Sequence, residues 1–142
     1  VVDYLDWLGS NFTESENTRE RLEASSLAIK SHEQELVNLV LNGTTYITGL
    51  RNNKEIQIIG TSNSKFREGV VSFFQKNKPS SIIVEELRKR KIRVHIRKDD
   101  HYCGNILRPL NQKDCIRFSI CHYNSKAEVL EFLRAINEIS AN

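Results

Sequence analysis

IRVHIRKDDHYCGNILRPLNQKDCIRFSICHYNS, residues 92–125, decides how the chain is read. Its two ends share one pattern. Ile92, Val94 and Ile96 alternate with Arg93, His95 and Arg97, and Ile116, Phe118 and Ile120 alternate with Arg117, Ser119 and Cys121. A period of two with one apolar side marks a half-buried strand. Two adjacent strands are therefore expected, each sending aliphatic side chains to a core. The other side then displays Arg93, His95 and Arg97 beside Cys115, Arg117, Ser119 and Cys121. Arginine and cysteine on the outer face of a sheet suggest that this face meets a ligand or another domain. Between the strands, 98–105 reads as loop and 106–110 as a helical turn closed by Pro109. Residues 97–125 also hold all three cysteines and two of the four histidines, His101 and His122.

Downstream, Ser125-x-x-Glu128 is a capping box. The helix it opens turns Val129, Leu130, Phe132, Leu133 and Ile136 inward. Upstream, 81–90 reads as a helix with Ile83, Val84 and Leu87 inward and Pro79 near its start. Residues 55–59 and 70–74 read as strands. A long helix begins at Thr18. Leu22, Ile29, Leu36, Val40 and Leu41 keep helical spacing, Leu27, Val37 and Leu39 widen the stripe, and Asn42-Gly43 closes it. His32, beside Glu33, reads as part of its solvated face. Residues 1–8 suit a short helix stopped near Gly9, and 10–17 a loop. The expected fold class is α+β: a small, mostly antiparallel sheet with helices packed on one face and a long N-terminal bridging helix. Residues 1–43 form the helical bridge and 44–142 the α+β sandwich of a single domain.

The 142 residues suit one domain with a real core. Hydrophobic content of 39% and charged content of 27% are those of a globular protein. No apolar run reaches membrane-spanning length, so no membrane partner is expected. The N-terminus lacks the basic region of a signal peptide. With no methionine anywhere, the chain reads as a fragment or processed product. Three cysteines without scaffold spacing fit a reducing, cytoplasmic setting. The net charge of +3 is mild. The basic run 88–98 is a helix end, a turn and a strand, and Arg88, Lys89 and Arg90 suit the helix dipole. It lacks the interleaved aromatics of a nucleic-acid surface, so no nucleic-acid partner is expected.

On the residues alone several readings stay open. Cys103 can be an inconsequential surface thiol, Cys115 and Cys121 ordinary small strand residues, and Arg117 a sheet arginine in a surface salt bridge. His101, Cys103, Cys115, Cys121 and His122 have poor spacing for zinc, and the adjacent Cys121 and His122 of a strand point to opposite faces.

In their order, a strand ending in Arg97, the loop His101-Tyr102-Cys103, the strand 115–119 with Arg117, and Tyr123-Asn124 before a capped helix resemble the C-terminal small domain of class V aminotransferase-fold enzymes. The cysteine desulfurase and selenocysteine lyase group is the nearest match. The upstream helix ending in Leu-Gly, the long helix with His32-Glu33, Ile59-Gly60 and 70–73 extend the resemblance over nearly the whole chain. These are pyridoxal-phosphate enzymes of fold type I. The resemblance implies that Cys103 is the nucleophile, attacking the sulfur of a cofactor-bound L-cysteine-like substrate, becoming a persulfide and releasing alanine. That chemistry needs a thiolate on a mobile, exposed loop near positive charge, which Arg97, Lys98 and the catalytic candidate His101 would supply. Arg117, with Arg97, matches the arginines that clamp the substrate carboxylate, a task suited to a planar guanidinium. The loop before Cys103 is a residue longer than the family pattern, and Tyr102 replaces its second histidine.

The resemblance also places the cofactor-anchoring lysine, phosphate site and pyridinium partner in a large domain that this chain lacks. Pyridoxal phosphate is expected in the complete enzyme and none in this chain alone, which is expected to be inactive by itself. The partners implied are that large domain and a sulfur-acceptor protein. The alternatives are a class V enzyme with a different reaction and a non-catalytic, stand-alone interaction domain.

Overall fold

Asn17 starts the long helix by accepting the N–H groups of Arg19 and Glu20 on its side-chain oxygen, at 2.9 and 3.3 Å. Gly43 ends it at φ 72°, donating its N–H to Leu39 O at 2.8 Å. In the computed structural model, which describes residues 1–141, this helix (α2) runs Thr18–Asn42. The short helix before it (α1) is Val2–Gly9 and lies against α2. At their crossing a Cβ on Gly9 would sit 2.0 Å from the Arg21 carbonyl oxygen, so only glycine permits the approach.

Four strands follow: β1 Ile56–Ile59, β2 Val70–Gln75, β3 His95–Lys98 and β4 Asp114–Ser119. They form one sheet in the order β1-β2-β4-β3, every neighbour antiparallel. Helix α3 (Ser80–Lys89) links β2 to β3, the short α4 (Gly104–Leu107) lies between β3 and β4, and α5 (Lys126–Ala141) closes the chain. The capping box forms as expected: the Ser125 hydroxyl accepts the Glu128 N–H at 3.2 Å, and the Glu128 carboxylate accepts the Ser125 N–H at 2.6 Å.

One sheet face carries the main core. Val71 and Phe73 of β2 and Ile116 and Phe118 of β4 meet Leu36, Val37, Val40 and Leu41 of α2, Ile83 and Leu87 of α3, and the buried stripe of α5. Phe132 stacks on Phe118 at 4.1 Å and meets Phe73 edge-on at 6.3 Å. The α2 stripe is buried only in its second half. Leu27, expected inward, is 70% exposed, because α1 and the turn after β4 leave that part of α2 open.

β3 is shorter than its alternation predicts. The Ile92 N–H is still spent on the C-terminus of α3, bonding Leu87 O at 2.9 Å, and Lys91 turns through φ 63°. Ladder pairing with β4 therefore begins only at His95, although Val94 is buried. The helix end of the basic run is spent on ion pairs. Arg88 meets Glu85 at 3.0 Å, Lys89 meets Glu86 at 2.7 Å, and Arg90 pairs with Glu138. No helix is long and apolar enough to cross a membrane among the described residues.

Candidate functional site

The site is built on the second sheet face. Register places His95 opposite Arg117 and Arg97 opposite Cys115 across β3 and β4, and Ser72 opposite Arg117 across β2 and β4. Directly paired residues share a face and side chains alternate along a strand. Arg97, Arg117, His95, Ser72 and Cys115 thus point the same way, and both arginines singled out by sequence come together. Ser72, at the centre beside Arg117, escaped the sequence reading. Its signal was the Val71/Phe73 alternation that sends it outward.

Arg117 has no answering carboxylate. Its Nε is buried without a hydrogen-bond partner, and the residue enters no ion pair among the described residues. The surface salt bridge left open for it is not made. A buried unpartnered donor is costly in a folded chain, by about 1–3 kcal/mol.

The face is not uniformly open, which corrects the expected display of Cys115. Cys115 is 4% exposed and lies in a small second cluster with Phe74 and Leu107, against which Cys103, Ile59 and Leu110 pack. The segment after β3 folds back over this part of the sheet and buries it. Burial, first, and then the neighbouring Cys103 push the Cys115 thiol up to about 11. Phe74 was the available signal, an aromatic residue on what alternation makes the outer side of β2.

The Cys103 loop, expected to be exposed, is tied by hydrogen bonds, and Cys103 itself is half-buried. Asp99 N–H bonds Lys113 O at 2.8 Å, closing the base of the loop. The Asp100 carboxylate accepts the N–H groups of Tyr102 and Cys103, each at 2.9 Å, while its carbonyl accepts the Gly104 N–H at 2.8 Å. Those donors, Cys103 first and Tyr102 next, hold the Asp100 carboxyl below its ordinary range. Asp99 pairs with Arg108 at 2.7 Å. Cys103 is half-buried at the start of α4, with only part of the residue open to solvent. His101 is exposed, its ring tilted against Tyr102 with centroids 4.0 Å apart, and Lys98 ends β3 exposed.

The remaining histidines act as ties. His32, expected on a solvated face, is half-buried, its Nε2 2.9 Å from Asn124 O, and joins α2 to the turn after β4. His122 Nε2 lies 3.1 Å from the Tyr4 hydroxyl and joins that turn to α1. Around them Tyr4, Leu8, Phe12, Leu27, His122 and Tyr123 line an open groove of about 740 Å³. No group of three or more His, Cys, Asp or Glu side chains is placed to hold a metal ion among the described residues.

Residues 17–132 match the family model described as aminotransferase class-V. The apo structure of a cysteine desulfurase from Thermococcus onnurineus NA1 superposes with a TM-score of 0.70 at 26% identity, over 87% of this chain and 29% of that one. A NifS-like protein superposes with a TM-score of 0.62 at 25% identity, over 87% of this chain and 32% of that one. The cysteine desulfurase CsdA from Escherichia coli, at 18% identity, shares the fold with a TM-score of 0.61 over 87% of this chain and 31% of its own. The chain thus spans less than a third of each of these structures. A comparison with curated proteins returns no match.

Proposed function

The chain belongs to the class-V aminotransferase family, and from that premise we propose that it is the small domain of a pyridoxal-phosphate-dependent, cysteine desulfurase-like enzyme. The observation that carries this reading is the buried, unpartnered Nε of Arg117 on the face it shares with Arg97. A guanidinium so placed fits the carboxylate of an amino-acid substrate, held by two parallel N–H···O bonds. Ser72 and His95 flank it and can donate or accept further hydrogen bonds.

Family membership implies pyridoxal phosphate in the complete enzyme. The face fits the carboxylate end of a cofactor-bound amino acid, and we assign no residue of this chain to holding the cofactor itself. When bound, the cofactor supplies the electron sink for cleavage at the substrate side chain. Cys103 contributes the nucleophile. Its thiolate attacks the substrate sulfur, an S–S bond forms and the C–S bond breaks. The released pair ends as a C–H bond of alanine, and the sulfur stays on Cys103 as a persulfide. Arg117 fixes the substrate while Arg97 and His101 place positive or proton-donating groups around the reaction.

The exposed, tilted His101–Tyr102 ring pair beside Cys103 suits contact with a sulfur-acceptor protein. The aromatic groove of α1 and α2, with Trp7 61% exposed beside it, suits the remainder of the enzyme, since solved relatives are about three times longer.

The test uses the longest natural protein that contains this chain. Loaded with pyridoxal phosphate and given L-cysteine, it should gain a visible absorbance band, form alanine and carry persulfide on Cys103. Cys103→Ser should abolish the persulfide and keep the band. Transfer of an amino group without alanine or persulfide would move the reading to another class V reaction. Absence of any cofactor band would leave a binding domain.

A further inference from the structure

The second cluster brings together two cysteines that the proposed reaction uses unequally. Cys115 is 4% exposed in β4 beside Phe74 and Leu107. Cys103 packs on the same cluster from the loop and keeps part of its surface in solvent. The loop is fixed there by two N–H bonds to the Asp100 carboxylate, the Asp99–Lys113 bond at its base and buried Leu107. Arg97 stands opposite Cys115 on the neighbouring strand. Both thiols are free.

We propose that Cys103 and Cys115 are a redox pair, which a peroxide converts to an intramolecular disulfide that locks the loop on the sheet and withdraws the Cys103 thiol. The inference rests on the reading of Cys103 as the reactive thiol of the site. Its steps balance. The Cys103 sulfur attacks one peroxide oxygen, an S–O bond forms, the O–O bond breaks, and the departing hydroxide leaves as water, giving a sulfenic acid on Cys103. The Cys115 sulfur then attacks the Cys103 sulfur. An S–S bond forms, the S–O bond breaks, and the Cys115 proton goes out with the hydroxide as a second water. In sum, two thiols are oxidised and one peroxide is reduced to two waters.

The division of labour follows from burial. Cys115 is shielded from solvent within the apolar cluster, so it does not meet the oxidant itself. It remains a thiol until its neighbour is oxidised. Cys103 is the one of the pair that peroxide reaches. Arg97 offers a positive charge to the anions that pass between them. Because the disulfide forms at the expense of further oxidation, it protects Cys103 from irreversible loss and is undone by a thiol reductant.

The cysteines fall in separate tryptic peptides, 99–113, 114–117 and 118–126, because Pro109 follows Arg108. The reduced, folded chain is treated with hydrogen peroxide near stoichiometry, blocked with a maleimide after denaturation, and digested. The expected result is loss of two hydrogens in intact mass, loss of two of the three blockable thiols, and a linked pair of peptides 99–113 and 114–117 within a monomer. Dithiothreitol should reverse all three. Sulfinic acid on Cys103 with Cys115 still blockable would overturn the proposal, as would a link to 118–126 or between two chains. A native-state alkylation separates the two claims. Cys103 modified faster than Cys121 without any link sinks the redox pair alone, whereas an inert Cys103 sinks the nucleophile with it. Cys115→Ala should send Cys103 on to sulfinic acid. The peptide map of the unsubstituted chain decides the matter even if that variant does not fold.

Discussion

Arg117→Met should stabilise the isolated chain and, on the proposed reading, remove substrate recognition from the complete enzyme. The Arg117 Nε is buried with no partner. An unsatisfied buried donor costs about 1–3 kcal/mol, and methionine keeps much of the aliphatic stem without that donor. Allowing for some lost packing around the guanidinium, the net gain is about 1 kcal/mol. In a chain of this size that is roughly a 3 °C rise in midpoint. Urea unfolding followed by far-ultraviolet circular dichroism reads it directly, with the midpoint rising and the slope unchanged. On the proposed reading, the same substitution in the complete enzyme would delete two charge-assisted hydrogen bonds to the substrate carboxylate. At about 1.5–3 kcal/mol each, this predicts a loss on the order of 100-fold or more in kcat/KM. Arg117→Lys keeps the charge and loses the fork, so it should fall between the two. A fall of about 1 kcal/mol or more in the stability of Arg117→Met would refute the reasoning. It would mean that the guanidinium is satisfied in the folded chain and is structural.

Three further outcomes follow from the geometry. Gly9→Ala places a Cβ 2.0 Å from the Arg21 carbonyl, so α1 must lift from α2 at a cost of about 1–3 kcal/mol. Trp7, the sole tryptophan, sits on α1, and unchanged emission with unchanged stability would show that the crossing is looser than described. The Cys115 thiol, raised from its ordinary 9.0 to about 11, favours the neutral form in the folded chain. Its contribution to stability is therefore intact below about pH 9 and lost as pH climbs from about 9 to about 11. Urea midpoints across that window should fall, and Cys115→Ala should flatten this part of the slope. Ser125→Ala removes the acceptor for the Glu128 N–H and should cost about 1 kcal/mol in the same unfolding assay.

What could be read in advance separates along a physical line. The ends of α2 and the start of α5 are set within a few residues of themselves, by Asn17, Gly43 and the Ser125–Glu128 pair. Local chemistry of that kind is visible in any sequence. So is the side of each strand that must be buried, which is why Arg97 and Arg117 were placed on one face correctly. The errors came where a distant segment settles a local question. Cys115 has the alternation of an outward residue, and only the return of 99–113 over the sheet buries it. His32 looks solvated until the turn after β4 brings Asn124 to it. The pairing of Ile92 to Val94 fails because α3 claims the Ile92 N–H first. Cys103 read as fully exposed because the residues that draw it down, Asp100 and buried Leu107, are ordinary until they are folded. This last difference bears on function. On the proposed reading, a thiol that delivers sulfur to another protein from a half-buried position has to move, and Asp100 holds it most directly, taking the Tyr102 and Cys103 N–H groups on its carboxylate and the Gly104 N–H on its carbonyl. Asp100 is therefore the group whose loss should loosen Cys103 while the sheet below it stays intact.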